Sequence, residues 1–71
     1  AHAGRLDEAL RHMRDARLRA PDNAEVRWHL ADVLARMGRE REARGEVEAA
    51  LQGRPEGGWV EQARALLARL R

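Results

Sequence analysis

Glu25, His29 and Asp32 stand four and three residues apart, and Glu8, His12 and Asp15 repeat the same spacing upstream. On a helix this spacing puts all three groups of each set on one face. Carboxylates and imidazoles bind divalent cations and pass protons, so metal binding and acid–base catalysis are the chemistries to weigh. Neither prevails. A zinc-type site needs three or four convergent ligands, whereas acidic, basic and imidazole groups at these spacings routinely form surface ion pairs. No Ser, Thr, Cys, Lys or Tyr occurs in the chain, which removes nearly every side chain that serves as a covalent nucleophile or Schiff-base amine. The sequence predicts no catalytic residue, no metal and no cofactor.

The charge balance narrows the partners. All fourteen basic residues are Arg, set against twelve acids, and the net charge of +2 comes from signs that alternate along the chain. A nucleic-acid binder gathers its arginines into a stripe and adds aromatics to stack on bases; here the only aromatics are Trp28 and Trp59. No nucleic-acid partner is expected. No apolar run reaches the roughly 18 residues that a membrane span requires. Without cysteine there is no disulfide frame, and cytoplasm and periplasm remain equally open. The abundance of Ala and Arg and the lack of Lys and Ile suggest GC-rich coding and a bacterial source.

These residues must be positioned by helices, because the chain repeats itself with a helical pattern. Gly4 and Gly38 are 34 residues apart, as are Arg5 and Arg39, Glu8 and Glu42, Ala9 and Ala43, Ala16 and Ala50, and Pro21 and Pro55. The matches include glycines, prolines and small residues, where turns and close helix packing restrict what fits. Leu6, Ala9, Leu10, Met13 and Ala16 form one apolar stripe, and Val26, Leu30, Val33, Leu34 and Met37 a second. Ala43, Val47, Ala50 and Leu51 form a third, and Trp59, Ala63, Leu66, Leu67 and Leu70 a fourth. Four helices are predicted, near 5–19, 24–36, 39–52 and 59–70, packed as consecutive antiparallel neighbours. Asp22 is placed to cap the second with Glu25 in a capping box, and Gly38 to end it.

A 34-residue period of paired helices resembles the tetratricopeptide repeat. The resemblance rests on Leu30-Ala31, Leu34, Gly38, Ala43, Val47, Ala50 and Pro55 in one complete copy, and on Gly4, Ala9, Met13, Ala16 and Pro21 in a preceding half copy. Departures are Arg27 where the family's first helix commonly has a bulky aromatic, Glu40 at a usually apolar place, and Arg17 and Arg19 in the usual Leu places around Leu18. The implied fold is an all-α, right-handed solenoid of antiparallel helix hairpins. Residues 1–23 would be the second helix of a truncated repeat, 24–57 the complete repeat and 58–71 a polar-faced capping helix. Ala1, His2 and Ala3 read as the tail of a missing leading helix, as in a piece of a longer repeat protein.

The resemblance implies a protein or peptide partner held in a concave groove. With Leu30, Val33, Leu34 and Met37 turned to neighbouring helices, the opposite arc of Glu25, Trp28, His29, Asp32 and Arg36 is the candidate groove, with Trp28 as its anchor. The alternative is a structural or oligomerisation segment with no ligand of its own. An exposed Trp28 would favour the groove, and a buried one the structural role. Without the missing helix, Leu6, Leu10 and Met13 are expected to leave apolar surface open and to pair with a second copy through the first helix.

Overall fold

The computed structural model describes residues 2–70, with side chains from Gly4 onward; Ala1 lies outside the described residues. Its regular elements are four helices and no strand among the described residues: α1 (His2–Arg19), α2 (Ala24–Arg36), α3 (Glu40–Ala50) and α4 (Trp59–Leu70). The predicted ranges of α2 and α4 agree with these bounds, and α3 is shorter than predicted by a residue or two at each end. At the start of α1 the expectation was wrong. His2, Ala3 and Gly4 belong to its first turn, so His2 and Ala3 are not the tail of another helix.

Local chemistry sets the connections. Pro21 has no N–H to donate and restricts the residue before it, so α1 ends at Arg19. Asn23, rather than Asp22, caps α2: its Oδ1 accepts the Val26 amide at 3.2 Å, and no capping box forms because Glu25 falls one position short. At the other end, Gly38 adopts φ +81°. This lets Gly38 N–H donate to the Ala35 carbonyl at 3.1 Å and Arg39 N–H to the Leu34 carbonyl at 2.9 Å, the paired bonds of a Schellman stop. α3 has no side-chain cap; Glu40 and Glu42 in its first turn oppose the positive helix end instead.

Each helix packs on the next, and α2 also touches α4. The core has two centres. One joins Trp28 and Ala31 of α2, Val47 and Ala50 of α3, and Trp59, Val60, Ala63 and Leu66 of α4. The other joins Leu10 of α1, Leu30 and Leu34 of α2, and Ala43 of α3, with Met13 packed at its edge. Leu10 is therefore buried, and Leu6 and Met13 are half-buried. The expected open apolar stripe is partly closed: Leu10 and Met13 pack with α2, Leu6 and Met13 keep some exposed surface, and Arg5, Asp7, Glu8, Arg11, His12, Arg14 and Asp15 face solvent. Leu18, at 76% exposure, is the large apolar side chain left outside.

Ala31, Ala43, Ala50 and Ala63 are completely buried. Alanine at these positions lets the helices approach closely, and a larger side chain overpacks the contact. Ala43→Leu is expected to lower stability by about 1–3 kcal/mol. A chemical denaturation midpoint equal to that of the wild type would show that Ala43 does not limit the spacing.

α4 follows α2 at the 34-residue offset, but with altered chemistry. Leu30 and Leu34 are buried, whereas their equivalents Arg64 and Ala68 are exposed. The outer face of α4 is polar.

Candidate functional site

The sequence-predicted arc lies on α2, positioned by Asn23 at one end and Gly38 at the other. The structure divides it. Trp28 is only 7% exposed, with its ring in the core beside Val47, Ala50 and α4. It is not a free-standing anchor. The reason is a second apolar stripe, Ala24, Trp28, Ala31 and Ala35, running beside the Leu30 stripe; α2 lies between neighbours and needs two apolar faces rather than one. Asp32 is half-buried and accepts from Arg36 Nε at 3.3 Å, one turn along. Glu25 and His29 are exposed and approach each other at 3.6 Å.

Trp28, Asp32 and Arg36 nevertheless line a common cleft. It runs between α2 and α4, holds about 450 Å³, and is completed by Gln62, Ala65, Leu66 and Arg69. Trp28 and Leu66 are buried, while Arg36, Gln62, Ala65 and Arg69 are exposed. An apolar base rimmed by charged and amide groups suits a short extended segment, since side chains of the occupant can rest on the base while its backbone and polar groups meet the rim. Glu25 and His29 are not among the residues that line this cleft.

The α4 half of the cleft was missed from the sequence, although the signal was present. Adding 34 to Trp28, Ala31, Asp32 and Ala35 gives Gln62, Ala65, Leu66 and Arg69. The repeat offset that identified the helices carries Trp28 and Asp32 of one wall onto Gln62 and Leu66 of the other, whereas Ala31 and Ala35 do not line the cleft.

The metal-spaced triads do not assemble a centre. Among the described residues no three His, Asp or Glu side chains are arranged to hold an ion. His29 pairs with Glu25, and Asp15 is taken by Arg19 at 3.2 Å. No helix among the described residues is long and apolar enough to cross a membrane.

A sequence model described as tetratricopeptide repeat matches residues 1–70. No curated protein and no solved structure matches the chain.

Proposed function

This chain belongs to the tetratricopeptide repeat family, whose members mediate protein–protein interaction, and we propose that it holds an extended peptide of a partner protein in the cleft between α2 and α4, without chemistry of its own. The observation that carries this reading is the cleft itself, with Trp28 and Leu66 as its base and Asp32, Arg36, Gln62 and Arg69 around it. Trp28 supports the occupant from below rather than projecting into it. Burial of Trp28 favours a second reading, in which the helices serve only as a structural segment of a larger protein.

Ala65 separates the two. It is exposed within the cleft, so Ala65→Arg fills the space without disturbing the core. Peptides selected from a random library against the wild-type protein are expected to lose at least tenfold in affinity for Ala65→Arg, about 1.4 kcal/mol. They should bind unchanged to Arg44→Ala, a substitution on the exposed side of α3. Equal affinity for both variants, or a library that yields no binder, would support the structural role.

A further inference from the structure

α1 and α3 flank α2 on the same side, yet their backbones never meet: among the described residues no Cα of α1 comes within 8 Å of a Cα of α3. Between them lies a crevice of about 330 Å³ with Leu30 and Leu34 at its base. Both leucines are nearly enclosed, at 3% and 2% exposure. The walls carry charge of opposite sign, with Arg14 and Arg17 on α1 facing Glu42 and Glu46 on α3, and Leu18 adds an apolar side chain on the α1 side.

Two ion pairs span the gap. Arg14 Nη2 donates to Glu42 Oε2 at 3.3 Å, and Arg17 Nε lies 3.2 Å from Glu46 Oε1. Glu46 also accepts from Arg27 Nη1 at 3.4 Å, so its carboxylate is shared by α1, α2 and α3. The Arg17 Nε contact lacks hydrogen-bond alignment although the atom is enclosed. Attraction there is Coulombic, without the directional bond that would fix the geometry. Arg17 is one of the residues that depart from the family's apolar pattern, so α1 is tied to α3 by charge at a place where an apolar side chain usually packs.

We propose that Arg14–Glu42 and Arg17–Glu46 form an ionic latch that sets the angle of α1 against the α2–α3 hairpin. Release of the latch lets α1 swing about its apolar contact with α2 and opens the crevice onto Leu30 and Leu34. The joint therefore responds to ionic strength. The Arg14 and Glu42 side chains are about half exposed, at 51% and 54%, and are the more readily screened; Glu46, at 21%, is screened less. The α2–α3 joint carries the part-buried Arg27–Glu46 pair but rests on the buried Leu30, Leu34, Ala43 and Val47, so its geometry does not depend on the ion pair.

The absence of cysteine makes the test direct, since introduced thiols are the sole labelling sites. Spin labels at His12→Cys and Gly45→Cys report the α1–α3 separation, and labels at His29→Cys and Gly45→Cys report α2–α3; all three positions are exposed. The latch is removed by Arg17→Gln with Glu42→Gln, which leaves the Arg27–Glu46 pair between α2 and α3 in place. The expected result is a longer and broader α1–α3 distance distribution in this variant, a smaller change of the same sign for unmutated Arg17 and Glu42 in 1 M salt, and an unchanged α2–α3 distribution in both. An α1–α3 distribution that does not respond to the double substitution would overturn the proposal. Loss of helical circular dichroism, or widening of both distances together, would also overturn it, because α1 would then be an inseparable part of one cooperative unit.

Discussion

Trp28→Ala is expected to leave most of the chain unfolded at room temperature. The indole is buried in one cluster with Val47 and Ala50 of α3 and Trp59, Val60, Ala63 and Leu66 of α4, and its removal opens the larger core cluster. Truncation of a buried Phe or Trp typically costs about 3–5 kcal/mol, from lost transfer energy and from the cavity that remains. Domains have roughly 0.05–0.15 kcal/mol of stability per residue, and a chain of 71 residues has correspondingly little to spare. The far-ultraviolet helix signal of the variant should therefore be strongly reduced, and urea should complete its unfolding without an initial plateau. A cooperative transition within about 1 kcal/mol of the wild type would mean that Trp28 is not in the core. The substitution is consequently a poor probe of binding, since it would remove the fold along with the cleft.

Gly57→Ala is expected to have an effect of similar rank through a different cause. Gly57 has φ +124°, a conformation that side-chain-bearing residues rarely adopt. A Cβ at this position would lie 2.8 Å from Nε1 and 2.9 Å from Cδ1 of Trp59. Trp59 is itself only 8% exposed and packed in the same cluster as Trp28, so its ring cannot yield without disturbing α4. Backbone strain of about 1–2 kcal/mol adds to about 1–3 kcal/mol for overpacking. Gly58→Ala is the control: a Cβ there would meet nothing within 4 Å. Thermal unfolding should show Gly57→Ala well below Gly58→Ala. Coincident transitions would show that the loop before α4 moves aside freely.

The helices were legible because their signals are local and mutually consistent. Pro21, Gly38 and the 34-residue offset each constrain the backbone whatever surrounds it, and they place α2 and α4 with their observed bounds. The cap of α2 was misassigned between Asp22 and Asn23, neighbours of nearly equal capping strength whose competition is decided by where the turn after Pro21 ends. Trp28 was harder for a different reason. Its neighbours on the opposite arc, Glu25, His29 and Asp32, are polar, and one apolar stripe on α2 already accounted for a buried face. Which second face α4 covers depends on the angle between helices distant in sequence. The fate of Leu10 and Met13 was likewise a question of direction: the stripe was read correctly, and these two of its residues pack with Leu30 and Leu34 of α2.

Arg64 and Ala68, standing on α4 where α2 has Leu30 and Leu34, bear on how order spreads through the molecule. In a one-dimensional stack each helix draws much of its stability from coupling to the helices on either side. Because Arg64 is charged and Ala68 short, a further helix laid on that face would bury a guanidinium and gain little apolar contact. Order established at α2, which is engaged by α1, α3 and α4, is expected to propagate outward from it, so that amide exchange is slowest in α2 and faster in the helices on either side.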